Sequence, residues 1–217
     1  MGERHDHSSE SLAPAGRPGP GPATGSDPLS DVLRTVRLTG ALFFLVDASS
    51  PWLVELPESD RFGPILLPDA QQIVSYHIIR RGPCWGGLLG ASPVRLETGD
   101  ILLIPHGDPY VLSSPAGMRA EDPAAEALTF FRMMIAGQLP LVITEGGGGP
   151  ERIQVVCGFL GCDIRPFNPV LAALPRLLHL RRPPDPEGER LGHLIEFALA
   201  ESRERRSGGH SVLLRLS

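Results

Sequence analysis

The apolar positions of this chain fall into short runs separated by Gly, Pro and Ser, with no single long period joining them. Ala41 to Val46, Trp52 to Leu56, Ile73 to Ile79, Trp85 to Leu89, Val94 to Leu96 and Ile101 to Ile104 read as strands. Turn residues stand between them at Ser49-Ser50-Pro51, Arg80 to Pro83, Gly90 to Pro93 and Thr98-Gly99-Asp100. Residues 57 to 71, with three prolines, read as an irregular loop. Tyr110 to Leu112, Leu139 to Thr144 and Ile153 to Leu160 add further strands, the last closing the β-region. With no helical period between the early strands, the pattern predicts an antiparallel barrel or jelly roll and disfavours a parallel βαβ sheet.

Helical spacing appears at the two ends. Asp27 suits an N-cap and Pro28 a first helical position, followed by Leu29, Val32, Leu33 and Val36, with Gly40 as the stop. Pro123 to Met134 places Leu128, Phe131 and Met134 at helical offsets, although Ala127 to Phe131 reads equally well as a strand. After Asn168-Pro169 comes the stripe Val170, Leu171, Leu174, Leu177 and Leu178, broken by the prolines of Arg181 to Glu187. A second stripe, Leu191, Leu194, Ile195, Ala198 and Leu199, completes a predicted helical hairpin, and Ser211 caps a third helix cut short at Ser217. The expected division is a disordered tail over 1–26, a barrel with its leading helix over 27–165 and a helical segment over 166–217. The tail is polar and rich in Gly and Pro, so His5 and His7 within it are read as solvated.

Composition narrows the partners. The 217 residues include 25 Gly and 23 Pro, which favours short strands and turns over a helical bundle. A formal charge of −5 argues against a nucleic-acid-binding surface, and every basic residue is Arg. Met1 to Ala23 lacks the apolar core of a signal peptide, and no run reaches membrane-spanning length. Cys84, Cys157 and Cys162 are read as reduced thiols in a cytoplasmic setting. Cys157 and Cys162 are an odd number of residues apart, so a regular strand points them to opposite faces.

The chemistry concentrates on Arg95 to Leu112. Gly99 and Asp100 form the turn before the apolar run Ile101 to Ile104, with Gly99 placed to take a positive φ. Pro105, His106, Gly107, Asp108 and Pro109 then redirect the chain into Tyr110. In that turn His106 is a structural residue, and Asp108 is expected to accept hydrogen bonds from turn backbone N–H groups. The spacing of Gly99, Pro105, Gly107 and Tyr110 resembles the second motif of the cupin barrels, in which the last position is usually a metal-binding His. The segment resembling their first motif, Tyr76-His77-Ile78-Ile79, offers one His where the family commonly has two, and Glu97 lies in the turn region. A first-row metal needs three or four placed ligands, so no metal is assigned.

No nucleophile elbow, carboxylate pair or dinucleotide fingerprint is present, and Gly146 to Gly149 lacks the Lys-Ser/Thr of a phosphate-binding loop. Neither a catalytic residue nor a cofactor is assigned. What remains is an apolar barrel interior able to hold one small molecule. Trp52, Tyr76, His77, Trp85 and Tyr110 are the candidate ligand contacts, each also readable as core packing.

Asp27-Pro-Leu-Ser-Asp-Val-Leu-Arg, Tyr76-His-Ile-Ile-Arg-Arg-Gly-Pro-Cys-Trp, the Thr98 to Pro109 stretch, Val156-Cys-Gly-Phe and Asn168-Pro-Val-Leu-Ala-Ala-Leu-Pro together resemble the cupin-type N-terminal domain of AraC-family transcriptional regulators. The resemblance covers residues 27 to 217. It implies a cupin-like barrel that senses a small-molecule effector, and C-terminal helices that form a homodimer. The family's DNA-binding helix-turn-helix units are expected to lie outside this sequence. The competing expectation is a small metal-dependent cupin enzyme, a dioxygenase or an isomerase.

Overall fold

The computed structural model describes residues 38–164 and 169–181. The expected N-terminal tail, the body of the helix from Asp27, the second C-terminal helix and the one at Ser211 lie outside those residues. Gly40, expected to stop the first helix, belongs instead to a strand, β1 (Leu38–Ser49). Its alternation explains its place. Leu42, Phe44, Val46 and Ala48 face the main core, while Phe43 and Leu45 pack on the opposite face. β1 pairs antiparallel along almost its full length with β9 (Arg152–Cys162), whose other edge takes β3 (Gln72–Arg81).

The remaining strands are β2 (Trp52–Leu56), β4 (Cys84–Leu88), β5 (Val94–Leu96), β6 (Ile101–Ile104), β7 (Tyr110–Ser114), β8 (Val142–Gly146) and β10 (Leu178–Leu180). They form a six-stranded sheet, in the order β10-β6-β3-β9-β1-β8, facing a four-stranded sheet in the order β2-β7-β4-β5. The architecture is mainly β, as the sequence pattern predicts, but the two sheets do not close into a barrel. The chain leaves β1 at Ser49-Ser50-Pro51 and enters the other sheet, so β1 and β2 belong to different sheets. β8 also departs from the antiparallel expectation, running parallel to β1 from Leu45↔Val142 to Ser49↔Gly146.

Residues 57 to 71 are not irregular throughout. They contain α1 (Ser59–Leu66), with Pro64 inside the helix. Phe62 and Leu66, four residues apart, are buried, so an apolar helical face stabilises a segment whose prolines suggest a loop. The Pro123 segment is α2 (Pro123–Ile135), which decides its two readings in favour of helix. The Asp122 carboxylate accepts the Ala125 N–H at 3.1 Å, and Pro123 sits at a position where its missing N–H is harmless.

The C-terminal stripe divides. Only α3 (Pro169–Ala173) is helical, and Leu178 begins β10, which pairs antiparallel with β6 through Leu178↔Leu103, His179↔Leu102 and Leu180↔Ile101. The spacing of Leu171, Leu174 and Leu178 suits a helix, but an open edge on β6 offers backbone partners that the pattern cannot reveal. The described part of the predicted hairpin's first arm is therefore a short helix followed by a strand.

Candidate functional site

The inner face of β3 carries two polar side chains among its apolar ones. Ser75 and His77 are both 1% exposed, between Ile73 and Ile79 on the same face. In front of His77 lies a cavity of about 240 Å³. Its back wall is Phe44 and Val46 of β1 with Cys157 and Phe159 of β9. Leu53 to Leu56 of β2 form one side, and α2 covers it with Ala127, Phe130 and Phe131. The aromatic end is built by rings from three elements, β1, β9 and α2. Phe44 meets Phe130 at 5.3 Å between centroids, and Phe131 stands edge-on to Phe159 at 5.3 Å.

His77 donates or accepts one strong bond, its Nε2 lying 2.8 Å from the Tyr110 hydroxyl. Its Nδ1 has no hydrogen-bond partner among the described residues. Burial pushes the imidazole down to about 3, so the ring is neutral near neutrality. Burial raises the Tyr110 phenol well above its usual value, with the Cys157 thiol adding to the rise and the Ser75 hydroxyl opposing it. The cysteines respond likewise. Burial pushes Cys84 up to about 12, Cys162 up to about 11, and Cys157 upward as well, so all three remain thiols.

A second polar feature lies on the cavity's β2 side. Glu55 is buried, and its carboxylate accepts from Arg119 Nε at 2.9 Å, Arg119 Nη2 at 2.8 Å and the Ala120 N–H at 3.0 Å. The side-chain bond to Arg119 holds the Glu55 carboxyl below the usual carboxylate range, against the opposing effect of burial. This bidentate pair ties the loop before α2 to β2. Exposed Glu126 and Glu145 add further carboxylates to the lining, and no basic side chain lines it.

Of the five candidate contacts, the structure brings His77 to the cavity, with Tyr110 directly behind it. Trp52 is 3% exposed and packs in the core away from the lining. Tyr76 points to the other face of β3 and covers Gly158, where an added Cβ would stand 2.1 Å from the phenol Cζ. Trp85 lies between Cys84 and Gly86, which face the core, so it is directed outward. The aromatic lining and Glu55 were not picked out from sequence, because the wall is assembled from segments far apart in the chain. Cys157 and Cys162 do lie on opposite faces, the first in the main core and the second against Val74 and Leu171.

The motif turn has a different task from ligand contact. Gly99 has φ +96°, as its place in the turn requires, and its N–H donates to the Ile79 carbonyl at 2.7 Å. Asp100 accepts the Glu97 N–H at 3.0 Å and faces His179 Nε2 at 2.8 Å. His106 Nε2 lies 2.8 Å from the Leu174 carbonyl, its donor role depending on the tautomer. Asp108 accepts from Arg176 Nε at 3.0 Å, in place of the turn N–H groups expected of it. Asp100, His106 and Asp108 thus hold the segment 169–181.

This site does not suit a metal ion. His77 has one ring nitrogen committed to Tyr110, and its nearest sulfur neighbour across the ladder, Cys157, stays protonated. No group of three or more His, Cys, Asp or Glu side chains among the described residues is arranged to hold one. No helix among them is long and apolar enough to cross a membrane.

Residues 27–217 match the sequence model of the family described as cupin. No curated protein matches the chain. Similar solved structures include two of ToxT from Vibrio cholerae strain SCE256. The wild-type protein bound to an unsaturated fatty acid is 9% identical, with 79% of this chain and 48% of that one covered at a TM-score of 0.34. The apo K231A form is 10% identical, with 72% and 47% covered at a TM-score of 0.40. This chain therefore spans about half the length of those proteins.

Proposed function

The chain belongs to the cupin family, and we propose that it serves as the effector-sensing domain of an AraC-type regulator, with no catalytic role of its own. One observation carries this reading: the apolar cavity of about 240 Å³ between the larger sheet and α2. A single buried imidazole there is short of one partner. Such a cavity suits recognition of one small molecule, since apolar walls supply affinity and a few polar atoms fix orientation. It lacks the set of ligands or the acid–base pair that cupin enzymes of the metal-dependent kind require. The proposed organisation keeps a sensing unit over 27–165 and a homodimerising segment over 166–217. DNA contact is assigned to helix-turn-helix units outside this sequence.

Thermal unfolding against a panel of neutral, apolar small molecules tests the reading. A ligand that binds only the native state adds about 2.7 kcal/mol at a hundredfold excess over Kd. For a domain of this size that is a rise in Tm of about 5–10 °C. Elemental analysis showing stoichiometric iron, manganese or zinc that is lost in His77→Ala would overturn it in favour of a metal enzyme. Strictly monomeric sedimentation at high micromolar concentration would remove the homodimer, and a retarded DNA band at physiological salt would remove the claim that this chain leaves DNA alone.

A further inference from the structure

The outer face of the larger sheet, turned away from the cavity, carries an apolar row across all six strands. Leu180 of β10 pairs with Ile101, Ile101 with Ile78, Ile78 with Val156, Val156 with Leu45 and Leu45 with Val142. Cross-strand partners point to one side of a sheet, so these side chains form a continuous band. On one flank the band ends at Asp47, which binds Arg152 and Gln154.

Exposure along the band is uneven. Leu180 at the sheet's edge is 48% exposed, whereas Val156 and Leu45 at its centre are 2% and 3% exposed. The described residues packed on those two are Phe43, Ile78, Leu141 and Val142. Phe43, Ile78 and Val142 stand beside them on the same face, and Leu141 lies alongside β1, its carbonyl accepting the Leu45 N–H. Side neighbours do not close a sheet residue from above; a second layer does. The helices α1 and α2 pack on the inner side, and α3 sits further along the outer face, with Leu171 against Val74 and Cys162. None of the described elements lies over Val156 and Leu45.

Two apolar stripes elsewhere in the sequence could supply that layer, and the connections separate them. Residues 27–36 lead into β1 at Leu38, the end that pairs with Cys162 and is already met by α3. The chain after Leu180 instead leaves from the band itself. From Arg181 to Leu191 it can extend roughly 30 Å, enough to reach any strand of a sheet whose neighbours lie about 4.8 Å apart. Leu191, Leu194, Ile195, Ala198 and Leu199 then recur at helical spacing. Such a stripe is about 12 Å long, close to the roughly 10 Å from Ile78 across Val156 to Leu45.

We propose that residues 190–206 dock this stripe on the outer face of their own chain's larger sheet, over Ile78, Val156 and Leu45. The inference rests on the sheet and the stripe and stands apart from the sensing reading. One stripe occupies one helical face, which leaves the rest of the segment for the homodimer. Phe44 and Val46, on either side of Leu45 in β1, line the cavity on the opposite face, so a single layer of strand separates a guest from the docked segment.

Thiol modification of Ile78→Cys in the full chain tests it, with the buried Cys84, Cys157 and Cys162 as internal folding controls. The introduced thiol is expected to react slowly with a soluble maleimide, at a rate independent of protein concentration. Adding Leu194→Asp and Ile195→Asp should speed it at least about tenfold, as expected when local opening replaces a stable contact. Ala200→Asp, on the opposite side of the stripe, should not. Fast reaction without these changes, or no acceleration with them, overturns the docking. Protection that grows with protein concentration assigns the face to a second copy, and acceleration by Leu29→Asp with Val32→Asp assigns it to residues 27–36; either overturns the proposal. Where the native thiols are released as well, the milder Leu194→Asn is read by the same criteria.

Discussion

The most informative residue in the molecule is His77, because its surroundings force a neutral imidazole. The unfolded chain titrates that ring near 6.5, and the folded protein near 3. Between those values the unfolded state binds a proton that the folded state refuses, so stability falls as pH falls from 6.5 toward 3. The slope from this one group approaches about 1.4 kcal/mol per pH unit. Urea unfolding of the wild type between about pH 6.5 and pH 5, above most carboxylate titrations, should show it. His77→Gln should flatten that limb; an unchanged slope would mean the ring is hydrated and protonates in place. Glu55 has the same sign in a lower pH window. Its folded pKa lies below the ordinary 4.5, so its contribution is present above that value and lost as pH falls through the lower folded pKa. Arg119→Ala should destabilise the fold, by less than for a fully buried pair because the guanidinium is largely exposed, since it leaves the buried Glu55 carboxylate with the Ala120 N–H but without its charged partner. Denaturant midpoints at neutral pH check this, and a change under about 0.5 kcal/mol would mean the clasp is dispensable.

At the scale of elements, the motif turn shows what a sequence reader can and cannot recover. The apolar run Ile101 to Ile104 and the positive φ of Gly99 follow directly from residue type, and the structure has both. The role of Gly107 does not. With φ +72°, it carries the N-terminus of α1 so closely that an added Cβ would lie 2.0 Å from Ser59 Oγ. Its carbonyl also accepts the Ser59 N–H at 2.9 Å. Gly107→Ala should therefore cost about 2–3 kcal/mol, from the backbone conformation and the forced retreat of α1 together. A thermal unfolding series with Gly90→Ala as control separates the two, since Gly90 also has positive φ but nothing within 4 Å of an added Cβ. Equal losses in both variants would leave the contact with α1 without effect. The helix α1 was hidden because prolines mask a two-residue apolar face. β10 was hidden for another reason: a leucine spacing compatible with either state is decided by the edge of β6. At the site, His77 and Tyr110 stood out as rare polar groups in apolar strands. The phenylalanine wall did not, since each ring in its own segment looks like ordinary core.

Across the whole molecule, the cavity and the C-terminal segment are joined by one row of residues. Phe44 pairs with Cys157, Cys157 with His77, His77 with Leu102 and Leu102 with His179, so five strands carry the row from the cavity wall to β10. Cross-strand partners share a face, and sheets transmit small displacements because their interiors are close-packed. β10 is a three-residue edge strand, held to the motif turn mainly by His179 with Asp100 and, just before it, Arg176 with Asp108. Short edges of this kind open locally, far below the global unfolding free energy. A ligand that only stabilises the native state slows exchange through global unfolding and leaves such local opening as it was. A sensor must do more, because an effector can act only through a difference in its affinity for two states. The expected outcome is therefore that a saturating ligand drawn from the thermal-unfolding panel alters amide exchange at Leu178 to Leu180, where local opening dominates. In Asp100→Asn, which weakens the His179 attachment, these amides should exchange faster without ligand. Unchanged exchange in β10 on binding would separate the cavity from the C-terminal segment and move the output of sensing to another part of the fold, with α2, which covers the cavity, as the element to follow.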